Sequence, residues 1–148
     1  MLSGPPVTTT ASPDQLLERF LSGSPRQRRS LLAQLLQRAT EIRPLPADQL
    51  DRLDATGDDW AAGTLIQLLL SEDDGLRSAF QQRHPEGWLA VGSGQGVDYA
   101  PLQQALALQQ FEEADRLTSA ILRQLAGPDA ERRGYVYYSE VPAMASVD

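Results

Sequence analysis

The sequence predicts an all-α chain: an N-terminal bundle of short helices, then a helical hairpin and an irregular tail. Three observations carry this. Leucines recur at three-to-four spacing through most of the chain, prolines and glycines punctuate those runs every ten to fifteen residues or so, and no two segments alternate as pairing strands would.

Taken in order, the first twelve residues are rich in Ser, Thr and Pro and read as a flexible tail over 1–12. Ser12-Pro13 then opens a helix with Leu16, Leu17, Phe20 and Leu21 on one side, and Gly23 ends it. Ser24-Pro25 opens a second helix with Leu31, Leu32, Leu35 and Leu36 inward. The arginines near its start, Arg26, Arg28 and Arg29, read as a solvated helix surface, with an anion or partner patch as the sharper alternative. Pro44 and Pro46 break the chain before a third short helix marked by Leu50 and Leu53. A fourth runs from Trp60 to about Ser71, with Leu65, Ile66, Leu68, Leu69 and Leu70 as its core face, and Gly75 separates it from a fifth holding Leu76, Ala79 and Phe80. These five make a bundle over 13–90 with brief loops.

His84 is the lone histidine and precedes Pro85, a setting in which it caps carbonyls or meets solvent rather than binding metal. Gly92-Ser93-Gly94-Gln95-Gly96 lacks the strand-turn-helix context and the Lys-Ser/Thr of a phosphate loop, and it reads as a hinge between two lobes.

Beyond the hinge, Asp98 and Pro101 open a helix with Leu102, Ala105 and Leu106 on one side. From Phe111 the positions Ala114, Leu117, Thr118, Ile121, Leu122 and Leu125 make an apolar stripe opposite Glu112, Glu113, Arg116, Ser119 and Arg123, and Gly127-Pro128 stops the helix. Residues 128–134 are polar and turn-like. The aromatic run Tyr135, Val136, Tyr137, Tyr138 has no partner strand and reads as an extended loop.

Composition bounds the function. The 148 residues carry a net charge of −7, and all thirteen basic residues are arginine, so no broad positive field exists for nucleic acid. There is no cysteine, hence no disulfide and no thiolate metal site, and no apolar run is long enough to span a membrane. The expectation is a soluble, cytoplasmic, non-enzymatic protein with no metal site.

The hairpin's D-Y-A-P-L followed by F-E-E-A-D-R-L-T resembles the genomes-uncoupled-four family, tetrapyrrole-binding regulators of magnesium chelatase in oxygenic phototrophs. The matching positions are Asp98, Tyr99, Leu102, Phe111, Glu112, Ala114, Asp115 and Thr118. The likeness is strong over 95–148, moderate over 60–94 and weak before that. It implies that 97–148 is a partial porphyrin-binding core domain, and that family members continue through an Ile-Asp-x-Leu-Trp helix and a Phe-Gly-Phe-Ser-Val-Gln segment that complete the cradle. Without that covering, the apolar faces of 102–125 would be exposed, repacked on the first lobe, or buried in an assembly. The resemblance further implies protoporphyrin IX or Mg-protoporphyrin IX as ligand, with Tyr135, Tyr137, Tyr138, Val141 and Met144 forming one wall of its site. The implied partner is the large porphyrin-binding subunit of magnesium chelatase, with peripheral association at a thylakoid membrane compatible with that role. The alternative from the residues alone is a helical interaction scaffold that binds a protein and no small ligand.

Overall fold

A computed structural model describes residues 11–42, 47–53, 55, 56, 59–146 and 148. Among these the chain is helical with no strand: α1 Pro13–Ser22, α2 Pro25–Gln37, α3 Trp60–Glu72, α4 Asp74–Arg83, α5 Ala100–Ala107, α6 Phe111–Ala126 and α7 Pro128–Arg133. Three stretches of 3-10 helix, Ala39–Glu41, Ala47–Arg52 and Tyr138–Ala143, fill the connections. The all-α expectation holds.

The first two helices start for the same local reason. In Ser12-Pro13-Asp14-Gln15 and Ser24-Pro25-Arg26-Gln27 the serine hydroxyl accepts the amide of the glutamine three residues on, while that glutamine's side chain accepts the serine's own amide, at 3.0 Å and 2.8 Å respectively. Proline, whose missing N–H costs nothing there, sets the first turn. The expected tail over 1–12 falls outside the described residues for 1–10. Ala11 packs against the core and Ser12 is the cap of α1.

The core joins α1, α2, α3, α4 and the 3-10 helix at 47–52. Phe20, Leu35, Leu50, Leu65, Leu69 and Leu70 are its largest wholly buried side chains; each contributes about 1.5–3 kcal/mol by leaving water. Leu50 and Leu53 face this core as expected, although the helix there is 3-10 rather than α and ends at Arg52, just before Leu53.

Arg28 departs from the solvated reading. It is buried, donating from NH1 to Asp59 Oδ2 at 2.7 Å, from Nε to the Phe20 carbonyl at 2.9 Å, and from NH2 to the Leu21 carbonyl at 3.3 Å. A leucine-rich face recruits it because the C-terminal carbonyls of α1 and the capping carboxylate of α3 meet there and require donors. Arg26 and Arg29 do lie exposed.

Past Gly96, α5 docks on α3 and α6 folds back along α5. Asp98 does not cap α5 in the ordinary way: Tyr99 holds the N-cap position, and Asp98 Oδ1 accepts the Ala100 amide two residues on. Two further corrections concern the end of the chain. Residues 128–133 form a helix, not a turn, because Pro128 at its start, Asp129 and Glu131 in its first turn, arginines in its last turn and left-handed Gly134 after it agree with helix-end chemistry. The tail is extended only around Tyr135–Tyr137 before the 3-10 helix at 138–143, which the Tyr137 carbonyl starts by accepting the Glu140 amide at 2.9 Å.

Candidate functional site

The apolar stripe of α6 is only partly covered among the described residues. Ala114 and Leu125 are buried, whereas Phe111 is 58% and Leu122 46% exposed. Of the outcomes open for the hairpin, α5 is repacked on the bundle and the outer face of α6 is exposed.

Gly127 and Gly134, both at positive φ, bracket α7 and turn the chain so that Arg133 reaches the tail tyrosines. Its guanidinium lies 3.9 Å from the ring centre of Tyr137 and 4.9 Å from that of Tyr135. The two rings meet edge to face at 5.4 Å, with their hydroxyls 3.4 Å apart. Arg133 NH2 donates to Glu140 Oε2 at 2.7 Å and to the Tyr135 carbonyl at 3.0 Å, and the same Glu140 oxygen accepts the Tyr137 amide at 2.7 Å. Arg133 Nε is buried without a partner among the described residues.

The electrostatics follow from these contacts. The Tyr137 amide, and then the Arg133 guanidinium, hold the Glu140 carboxyl below its ordinary value. The hydrogen bond from Tyr137 pushes the Tyr135 hydroxyl up, burial adds to this, and Arg133 opposes it in part. Of the five residues assigned to the wall, the structure brings Tyr135 and Tyr137 together. Tyr138 is 92% exposed with no ring contact to them among the described residues, Val141 is exposed, and Met144 is partly covered with its amide on the Val141 carbonyl.

Arg133 and Glu140, which organise this cluster, were not assigned from sequence. The signal available was an Arg and a Glu seven residues apart, flanking an aromatic run. Arg132 next to it pairs with Asp129 on the exposed side of α7.

A second feature lies at the other end of the hairpin. Between α3, α4, α5 and the 87–89 turn is a cleft of about 370 Å³ walled by Trp60, Ile66, Phe80, Trp88, Leu106 and Leu108. Its rim is tied by amides. Gln103 bonds both the N–H and the carbonyl of Leu89, at 2.8 Å and 3.0 Å, and Gln67 donates to the Leu106 carbonyl at 2.8 Å. Gly87 makes the approach of Gln103 feasible: its φ is +95°, and a Cβ there would stand 2.5 Å from the Gln103 amide oxygen. His84 sits at the margin, with Nε2 3.2 Å from Asp51 Oδ1 and its ring against Phe80. As the C-cap of α4 it donates its backbone N–H to the Phe80 carbonyl at 2.9 Å, while its ring goes to Asp51. Among the described residues no group of three or more His, Asp or Glu side chains is placed to hold a metal ion.

The described residues form a helical protein whose aromatic tail is clasped by Arg133. Residues 92–148 match the GUN4-like family, so the resemblance carried by D-Y-A-P-L and F-E-E-A-D-R-L-T holds for this part of the chain. The chain is 39% identical over 89 residues to a Ycf53-like protein of Synechocystis sp., covering 60% of this chain and 38% of that protein. It is 33% identical over 64 residues to the uncharacterized protein ycf53 of Pyropia yezoensis, covering 43% and 27%. The first alignment is longer than the 92–148 stretch, so the likeness extends outside the family match. The chain spans well under half the length of both relatives. No helix among the described residues is long and apolar enough to cross a membrane.

Proposed function

We propose that the chain acts as a tetrapyrrole-binding regulator that takes protoporphyrin IX or Mg-protoporphyrin IX and stimulates magnesium chelatase through its large porphyrin-binding subunit. The observation that carries this reading is the GUN4-like match over 92–148, which includes the Arg133-organised aromatic tail. A porphyrin is a flat apolar disc with two carboxylates, so its site needs aromatic and aliphatic walls with cations at the rim. Tyr135, Tyr137, Tyr138, Val141 and Met144 supply aromatic, aliphatic and thioether surface for one face. Exposure of Tyr138 and Val141 leaves that surface open to a ligand. The same reading places the protein in the cytoplasm of a photosynthetic cell, with peripheral association at the thylakoid. Titration with a soluble porphyrin tests it: binding shifts the Soret band and quenches protein fluorescence, and the shift is lost when the tail tyrosines are replaced.

The exposed part of the α6 stripe, with Phe111 at its start and Leu122 three turns on, supports a second reading as a helical scaffold for a protein partner. A scaffold would leave the Soret band unmoved.

A further inference from the structure

We propose that the cleft between α3, α4 and α5 is a separate binding site for a small, uncharged, mainly aromatic molecule. Four independent features of the cleft carry this.

Its volume, about 370 Å³, lies at the low end of the roughly 300–1,000 Å³ of small-ligand sites. Its walls are two indoles, a phenyl ring and branched aliphatic groups. Trp60 is 57% and Leu106 41% exposed there, so a ligand would cover apolar surface that now faces water.

The charge pattern selects the ligand. Two ionisable side chains line the cleft, Asp59 and His84. Asp59 is matched by Arg28 at 2.7 Å, and His84 is held on Asp51. No arginine lines it, so a carboxylate-bearing disc finds no counter-ion, which separates this cleft from the tetrapyrrole site proposed at the tail. The polar groups left are amides. The Gln81 side chain makes no hydrogen bond among the described residues, and the Gln104 side chain uses its N–H on the Pro85 carbonyl, leaving its oxygen as an acceptor. A neutral ring system with an N–H or O–H donor meets these terms.

The floor of the cleft is left open by Gly63. It lies inside α3, where glycine is unfavourable relative to alanine, yet a Cβ added there would meet nothing within 4 Å. Helix stability and packing would both accept a side chain at this position, and the space it would fill is the cleft itself.

The test uses the 148-residue chain and the neutral dye N-phenyl-1-naphthylamine. Trp60 and Trp88 are the only two tryptophans in the sequence and both line the cleft, so intrinsic fluorescence reads it directly. The expected result is micromolar, one-to-one binding with energy transfer from tryptophan to the dye. Gly63→Leu should weaken binding by about tenfold or more by occupying the ligand's volume, with a melting temperature no lower than that of the parent. Leu106→Asp, at an exposed position on the rim, should weaken it as well and covers the case in which the leucine variant does not fold. Tyr138→Ala should leave dye binding unchanged. The proposal is overturned if the parent chain shows no saturable binding, if both cleft variants bind like the parent, or if a soluble dicarboxylic porphyrin displaces the dye competitively.

Discussion

Arg28 and Asp59 form a buried ion pair at 2.7 Å between the second helix and the cap of the third, with side-chain exposures of 7% and 2%. The same carboxylate accepts the Ala62 amide through Oδ1, and the same guanidinium holds two carbonyls at the end of α1. One contact thus locks three helix ends, and its geometry suits arginine's planar fork better than a lysine would.

Removing one partner should therefore be costly. Arg28→Met is expected to destabilise the bundle by about 3–5 kcal/mol, because Asp59 is left as an uncompensated buried charge. Asp59→Asn, which retains a capping acceptor, should cost less on its own. In the double variant the two losses should not add, since the second change removes the charge stranded by the first. Denaturant titration of the four proteins checks this, and strict additivity would mean that the pair is not coupled.

Binding of tetrapyrrole by this chain should be weak. The tail offers one apolar face, worth about 25 cal/mol per Å² of area removed from water, and ordering the 3-10 tail around a ligand draws on that gain. A longer chain carrying the helix and the Phe-Gly-Phe-Ser-Val-Gln segment that the family resemblance implies should bind more tightly. In it, Tyr138→Ala should lose about 1 kcal/mol or more. Fluorescence-quenching titrations decide: equal, tight binding by the short chain would move the site away from the tail, and an unaffected Tyr138→Ala would remove that ring from the wall.

Acid should loosen the aromatic cluster. The Glu140 carboxyl is held below its ordinary value by the Tyr137 amide and Arg133. A depressed folded value means that the contribution is complete above the unfolded value, about 4.3 for a glutamate, and disappears as the pH falls through the folded one. The ring resonances of Tyr135 and Tyr137 should therefore move together on acidification from about pH 6 to about pH 3. In Glu140→Gln this step should be missing. Persistence of the step in that variant would assign it to another carboxylate.

Limited proteolysis should cut first within 90–97 or in the tail beyond Gly134. The first stretch lacks regular structure, and among its backbone ties are the Ala90 amide on the Ala55 carbonyl and the Gly94 amide on Asp148 Oδ2 at 2.8 Å. Tyr99 donates its hydroxyl to the other oxygen of the same carboxylate at 3.0 Å. Asp148→Ala should consequently speed cleavage at 92–96 without affecting that elsewhere in the bundle. First cleavage inside 111–125 would refute the division of the chain at the glycines.

The bundle was legible because its information is local. Ser-Pro starts, glycine stops and leucine spacing each act within a turn or two, and α1, α2, α3 and α4 fall where those signals place them. Periodicity could not say which polar residue the core would recruit, and Arg28 was missed because its partner lies thirty-one positions away. The Arg133–Glu140 clasp was missed for a related reason, since it depends on the turn at Gly134. Residues 128–133 were misread because four charged residues beside Pro128 and the single small apolar side chain of Ala130 offer no apolar stripe, although their ends carry clear helix chemistry. The cleft had no sequence signature, as its walls come from four separate segments.

Gln109, between α5 and α6, adopts φ 57°, the one non-glycine positive φ among the described residues. Glycine would take that turn freely, whereas an L side chain is strained there by about 1 kcal/mol. Its side-chain Nε2 donates to the Gln67 carbonyl on α3 at 3.3 Å, so a local penalty is offset by a contact forty-two positions away. In kinetic terms the hairpin is a poor candidate for an autonomous early folding unit, because its tightest turn becomes favourable once α3 is in place. Gln109→Gly would relax this dependence, letting the 100–126 region close sooner in refolding while lowering the barrier to its detachment from α3 in the native state.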